Sequence, residues 1–544
     1  MLMIQKQLWY GCVLLLCALL SCKEDKETRP TPDPVTPEAP TSPTATAEDK
    51  ELLDKVQQST FGYFWEYAHP SSGMARERTG SGDIVTSGGT GFGVQAIIVA
   101  VHRGWITRAQ AVERLNRIAE FLGTADRFHG AWSHWLNGST GRAIAFSAKD
   151  NGGDLVETSY LINGLLTARV YFDGAGEEAA LRQKITRLWE TVEWDWYASR
   201  GDGLLYWHWS PDYFWEMDMP IRGWNEALIT YVLALSSPTH PIAEAVYQKG
   251  WVQPNYGFPM NYGGYRLNMG PNFGGPLFFA HYSFLSLDPR QMEDDYTNYW
   301  LQNLNHTMAN RSFCLLSAPK EYRYSEGFWG LTASDDPEGY MAHHPGNDNG
   351  TVAPTAALGS FPYTPYYSMQ ALRHFYDALG PQLIGAYGLK DAHNKARSWT
   401  ASDHLAIDQG PIVAMIENYR SGLLWSLFTD LPEIQAGLVK ANINKPVYET
   451  GFPLAVADVQ KGWVDLLKHP DTGAYQMEVA TKEAGIYTLS LLSKDGSDAL
   501  TIWSGGSPAR GLQTVTFGAE GLPGAYTLKL TNAGTSKQLD VYLH

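Results

Sequence analysis

Gly91 to Leu122, GFGVQAIIVAVHRGWITRAQAVERLNRIAEFL, places two helices of different kinds side by side. The first, GFGVQAIIVAVHRG, is apolar and small nearly all round and requires burial on every side. The second, TRAQAVERLNRIAEFL from Thr107, spaces its apolar residues three and four apart and buries one face only. WNEALITYVLAL from Trp224 is again of the first kind. Helical spacing recurs over 50–67, 90–103, 107–122, 154–172, 177–198, 224–236, 292–309, 364–379, 410–428 and 432–442. Fully buried helices alternating with amphipathic ones predict two concentric rings. The fold class is mainly α, an (α/α) toroid over about 49–445.

Aromatic loops rich in Gly and Asn separate the helices at 200–222, 254–275 and 317–363. Loops of this length in a folded domain are usually functional. From 446 to 544 the pattern changes to short β-rich runs split by Gly, Asp and Asn, such as GLQTVTFG and GAYTLKLTNAG. That pattern predicts a small C-terminal antiparallel β-sandwich. It either binds carbohydrate or packs on the helices, and packing is the favoured reading.

Residues 1–22 read as an export signal, with Lys6 as its basic region and Leu8 to Leu20 as a short apolar run. Leu19-Leu20-Ser21-Cys22 resembles a bacterial lipobox, which implies cleavage before Cys22 and lipidation of Cys22. Lys23-Glu24-Asp25 resembles the surface-export tag of Bacteroidetes lipoproteins. The expectation is an exported outer-membrane lipoprotein, facing the periplasm or the cell surface. A Pro/Thr-rich linker over 23–48 would hold the body away from the membrane. Once the signal is removed and Cys22 acylated, only Cys314 remains, so no intrachain disulfide is expected. A net charge of −16 argues against a nucleic-acid partner. The body is expected to be monomeric.

The chemistry concentrates in KDNGGDLVETSYLINGLLTAR, from Lys149. Asp154 stands where an N-cap belongs and Glu157 three residues on, close to a capping box. Asp150 lies before the glycines, outside that cap. In a toroid the inner helices run parallel, so their N-termini open on one face. Glu226, in RGWNEAL, and Asp408, in DQGP, start other buried helices and belong on the same rim; Glu417 follows further in on the helix of Asp408, and Asp408 and Glu417 are candidates to bind substrate. Clustered carboxylates raise one another's pKa, so that one stays protonated as a general acid while another activates water. That is the two-carboxylate logic of glycoside hydrolysis. Among 19 Trp and 30 Tyr, Trp132, Trp135, Trp209, Trp215 and Trp329 lie in loops where they either pack or stack on sugars. Arg76 and Arg78 are either surface charges or cleft-rim groups that bind hydroxyls. His344, beside His343, suits hydrogen bonding to substrate or loop better than a metal. Asp335, Asp336 and Glu338 read as turn residues. No phosphate loop or dinucleotide fingerprint is present.

These stretches together resemble the bacterial glucoamylase-like family, in particular glycoside hydrolase family 144. The residues that carry the likeness are MARER, TGFGVQAIIVAVHRGWITRAQA, KDNGGDLVETSYLINGLLTAR, RGWNEAL, GFWGLTASDDPEGY, GTVAPTAALGSFPYTP and DQGPIVAMIENYRSG, spread over roughly 55–430. The resemblance implies an (α/α)6 barrel that cleaves β-1,2-glucan, by endo attack or by release of sophorose, with inversion. It places Asp150, Asp154, Glu157 and Glu226 on the family's essential acids, with Glu226 as general acid. Asp154 is the first choice for the base and Asp150 the second. It implies no metal and no organic cofactor. The β-sandwich is a departure from the simplest members. Two other readings remain: a hydrolase of another glucan, and a non-catalytic glycan-binding lipoprotein.

Overall fold

The computed structural model describes residues 46–251, 259–494, 499–507, 511–518 and 523–544. The export signal, Cys22 and most of the linker lie outside the described residues. The helices are α1 (Thr46–Trp65), α2 (Ser87–His102), α3 (Arg108–Thr124), α4 (Leu155–Tyr171), α5 (Glu177–Glu190), α6 (Leu228–Ser236) and α7 (Glu244–Gly250). They continue with α8 (Tyr299–Ser312), α9 (Pro354–Leu358), α10 (Pro365–Asp377), α11 (Gly380–Leu383), α12 (Ala406–Arg420), α13 (Leu423–Thr429) and α14 (Pro432–Lys440).

The two kinds of helix form two layers. In α2 every residue from Ser87 to Ala100 is buried, and in α4 every residue from Leu155 to Ala168. Helix α2 packs between α4 and α12, with α6 beyond α4. Glycines let these helices approach closely. A Cβ on Gly91 would lie 2.1 Å from the Tyr160 carbonyl oxygen, and one on Gly164 would lie 2.2 Å from that of Gly91. Outside them, α3 buries Ala111, Val112, Leu115, Ile118, Ala119 and Leu122, a single stripe. Thr107 caps it in a full capping box with Gln110.

Several boundaries differ from the sequence expectation. The helix expected over 177–198 ends at Glu190, and the one expected from 224 begins at Leu228, which leaves Glu226 in the entry turn. The run 410–428 is two helices, because Gly422 adopts a left-handed φ of 69° between them. Short 3-10 turns at Leu277–Ala280 and Tyr282–Leu285 fill a buried position beside α8 and α12.

The C-terminal region holds a five-stranded sheet and a two-stranded ribbon. The sheet runs Val464–Leu466, Ser536–Leu543, Gly524–Thr531, Gly485–Ser493, Ala499–Ser507. Its pairings are antiparallel except the first, which is parallel. The ribbon pairs Tyr475–Thr481 with Gly511–Phe517. Met477, Val479 and Val515 of the ribbon share one buried cluster with Leu489, Leu491, Leu528, Leu530 and Val541 of the sheet.

This region is fixed to the helices by buried polar contacts. The Tyr367 hydroxyl lies 2.7 Å from a carboxylate oxygen of Asp458 and of Asp465 and donates its one proton to either, and the Trp300 indole donates to the Leu454 carbonyl at 2.9 Å. Terminal His544 stacks on Tyr366 at 3.8 Å. Residues 46–544 form one compact unit.

Candidate active site

Helix α4 begins at Asp154, whose Oδ1 accepts the Glu157 backbone N–H at 2.9 Å. The reciprocal half of the capping box is not made. The Glu157 carboxylate turns away and accepts the Gly88 backbone N–H, in the first turn of α2, at 2.9 Å. A Cβ on Gly88 would lie 2.3 Å from Glu157 Oε2, so this contact requires glycine. One acid therefore caps its own helix and the next serves its neighbour. Burial raises the Glu157 carboxyl to about 6, with Asp154 adding to the rise and His134 opposing it.

His134 stands over these acids, its Nδ1 3.3 Å from Asp154 Oδ2. Its ring stacks on Phe146 at 4.2 Å. Burial opposes its protonation, but Glu157, Asp154 and Asp150 together raise it to about 9. Asp150 approaches a second histidine: its Oδ1 lies 3.1 Å from Nε2 of buried His208, without aligned hydrogen-bond geometry. His208 is held by backbone pairing of His208–Trp209 with Gly153–Asp154.

Glu226 joins from the turn before α6. Its carbonyl accepts the Ser283 and Tyr160 hydroxyls, which fixes the turn. Burial, reinforced by the charges of Glu157 and Asp154, raises its carboxyl to about 7. Tyr160 of α4 and Phe92 of α2 pack with Tyr282 as a cluster of three rings, with centroids 5.2 to 5.8 Å apart.

A second acidic group surrounds Arg78. The Arg78 guanidinium pairs with Asp335 at 3.0 Å, with Glu77 at 3.0 Å and with Asp403 at 3.8 Å. The Asp335 backbone N–H donates to Asp391 at 2.7 Å. Asp391 lies beside Asp408 in the first turn of α12, and both are buried. Burial, then the charge of Asp335, raises Asp391 to about 7; burial and Asp391 push Asp408 well up. Both carboxyls are thereby held toward their protonated forms.

The structure thus brings Asp150, Asp154, Glu157 and Glu226 into one electrostatically coupled group. Other residues expected at the cleft are placed differently. Glu417 is a correction: it lies in the last turn of α12, fully buried, with Oε2 2.7 Å from Arg103 Nε at the C-terminal end of α2. Trp132 is another: it is 0% exposed, its indole donates to the Leu122 carbonyl and Arg127 lies over its ring at 4.1 Å. Trp329 is likewise 0% exposed and belongs to the core. Asp408 is 1% exposed, enclosed with Asp391 instead of facing a sugar. Arg76 is spent on the Gly82 and Tyr67 carbonyls, and Arg78 on its acids.

Trp135, Trp209 and Trp215 stay partly exposed. Trp135 meets Phe146 edge-on at 4.8 Å and Trp209 pairs through its backbone with Gly153, so both lie next to the acids. Trp215 packs on Tyr206 at 5.5 Å. His344 accepts the Gly346 N–H in its own turn. Sequence reasoning passed over His134, His208, Asp391 and Gly88. The one available signal was neighbourhood in the sequence: His134 lies between Trp132 and Trp135, and His208 between Trp207 and Trp209.

A pair of carboxyl groups flanking a glycosidic bond is the equipment of the glycoside hydrolase class, and the carboxyls here gather where α4 and α6 begin. A family model described as "Putative glucoamylase" matches residues 218–432. An endo-β-1,2-glucanase structure from Chitinophaga pinensis, with sophorotriose and glucose, is 50% identical; the match covers 73% of this chain and 99% of that one, with a TM-score of 0.71. A β-1,2-glucanase structure from Parabacteroides distasonis is 45% identical over 72% of this chain and 60% of that one, also with a TM-score of 0.71. An exo β-1,2-glucooligosaccharide sophorohydrolase (non-reducing end) of the same organism is 45% identical over 416 residues, 72% of this chain. The match spans 58% of the length of that curated relative. The chain belongs to the glucoamylase-like family, of the glycoside hydrolase family 144 type.

Proposed function

We propose that this protein is a glycoside hydrolase that cleaves β-1,2-glucan or sophoro-oligosaccharides with inversion, acting either endo or by release of sophorose. The observation that carries the reading is Glu226. It is a carboxyl raised to about 7, coupled to Asp154 and Glu157, whose oxygens accept helix N–H groups. At neutral pH Glu226 retains a proton to give to the glycosidic oxygen as that bond breaks. A second carboxylate takes the proton of the attacking water on the opposite face of the sugar ring. Asp154 is the first candidate for that base. Asp150, with no cap to serve, is the second. Glu157 sets the local charge. Trp135, Trp209 and Trp215 offer partly exposed ring surface for the chain of sugars. The reactions named for the relatives from Chitinophaga and Parabacteroides support the substrate class. No metal and no organic cofactor enters this mechanism.

The (α/α)6 architecture belongs to the same reading. Pairing each outer element with the inner one that follows gives α1 with α2, α3 with α4, α5 with α6, α7 with 277–285, α8 with α9, and α10 with α12. The β region over 446–544 then serves to brace the helices. Export, lipidation at Cys22, anchoring in the outer membrane and a monomeric body complete the proposal. Loss of radiolabelled-palmitate incorporation in Cys22→Ala would support the anchor, and unchanged labelling would refute it.

The experiment that tests the function is a time course on linear β-1,2-glucan, sophoro-oligosaccharides, laminarin and starch, with the anomer of the fresh product followed by NMR. Sophorose alone from the start indicates exo action, and a spread of oligomers endo action. Fresh α-anomer indicates inversion of the β-linkage. Cleavage of laminarin or starch alone would replace the substrate reading. Binding without new reducing ends would replace the enzymatic one.

A further inference from the structure

We propose that His134 is a positioning residue of this site, supplying the counter-charge that lets Asp154 and its neighbouring carboxylates stay ionised together and fixing the plane of the Asp154 carboxylate. The inference rests on the catalytic reading of the acids given above.

Asp154 is held from two sides. Its Oδ1 takes the Glu157 N–H, and its Oδ2 faces His134 Nδ1 at 3.3 Å. The imidazole is itself fixed. It stacks on Phe146 with an interplanar angle of 22°, and the Phe146 N–H donates to the Asp150 carbonyl at 2.8 Å. The His134 carbonyl accepts the Ser87 N–H at the start of α2, at 3.1 Å. The ring therefore joins the loop of Asp150, the cap of α4 and the first turn of α2.

The groups that act on it electrostatically are Asp154 and Glu157 from α4, Asp150 from the loop before it, and Glu77 from the segment beside Arg78. All four are acids. Like charges that close cannot all ionise unless a cation stands among them. With the imidazolium present, Asp154 can remain a carboxylate, ready to take a proton from water, while the retained proton sits on Glu226. The elevated proton affinity of His134 agrees with this division.

The test is His134→Asn, which keeps an N–H donor near the Nδ1 position and removes the charge. A native circular-dichroism spectrum, a kcat lowered by about 10²-fold and a KM little changed are expected. The acid limb of the kcat/KM profile should move to higher pH, because the base loses its cation. Wild-type kcat with an unmoved profile would overturn the proposal. A second arm needs no activity: NMR of the histidine side chains in the intact protein and in Asp154→Asn. A His134 ring still doubly protonated above pH 7.5, and losing its proton at lower pH in Asp154→Asn than in the wild type, supports the proposal. A ring titrating near the unperturbed value of about 6.5 overturns it. If the wild-type protein cleaves no glucan, the functional reading fails, and the NMR arm still decides the charge arrangement.

Discussion

Glu226 carries a cost as well as a function. Its carboxyl has an ordinary value of 4.5 and rises to about 7 in the folded protein, from burial first and from Glu157 and Asp154 next. The native state then binds more protons than the unfolded state between those values, so stability falls as pH rises through that window. Glu226→Gln keeps the shape and removes the titration. It should abolish hydrolysis, match the wild type in stability at pH 4, and exceed it by on the order of 2 kcal/mol at pH 8. Urea titrations at the two pH values check this, and an equal gain at both would refute the burial argument. His134 adds to the same slope, because a group raised from 6.5 to about 9 contributes stability that is lost as pH climbs through that range. Glu226 was legible in the sequence because it opens an apolar helix. Gly88 and His134 were not, because the partner of Gly88 lies 69 residues away and His134 reaches Asp154 through the irregular segment between α3 and α4, which has no period to read.

At the scale of the helix, the question is whether Asp154 caps α4 or works on substrate. It does the first visibly, and asparagine caps a helix about as well as aspartate. Asp154→Asn should therefore keep the stability of the wild type within a few tenths of a kcal/mol above pH 9, where His134 is uncharged in both proteins, and lose activity. Asp154→Ala should lose activity and also about 1 kcal/mol. Denaturant curves run beside the β-1,2-glucan assay separate the two duties; an active Asp154→Asn would confine the residue to the cap. The all-round apolar helices α2, α4 and α6 were readable as inner elements, because nothing else tolerates that pattern. The buried turns over 277–285 were not, since 3-10 pieces of this length show no helical period. The capping box at Asp154 was half right for a reason outside the helix: Glu157 had a better partner on α2.

For the molecule as a whole, the end opposite the acids decides how helices and β region hold together. The sequence groups Glu417 with Asp408 as a substrate-binding candidate because the two share a helix. Nine residues at 1.5 Å each separate the two by roughly 13 Å along the axis, which carries Glu417 to the other end. There it meets Arg103 of the turn after α2, and Arg103 also reaches Asp471 of the β region at 3.4 Å. Arg420, with a side chain 0% exposed, meets the same Asp471, Asp54 of α1 at 2.7 Å and Gln57 at 2.7 Å. Burial opposes the charge on Asp471, yet Arg420 and Arg103 lower it to about 2. Breaking a buried pair leaves a charge uncompensated and costs about 3–5 kcal/mol when no other partner remains. Asp54 and Gln57 do remain, so Asp471→Ala should cost on the order of 2 kcal/mol at pH 7. The loss should shrink as pH falls from about 3.8 to about 2, where the wild-type carboxylate itself becomes protonated. Hydrolysis should be unchanged, because this network lies at the far end of α12 from the acid rim. Thermal unfolding followed by helical ellipticity and by tryptophan fluorescence should stay one coincident transition at a lower temperature. Two separated transitions would mean that the β region unfolds alone and that Asp471 was its bond to the toroid; wild-type stability would mean that the buried arginine is satisfied by α1 without it.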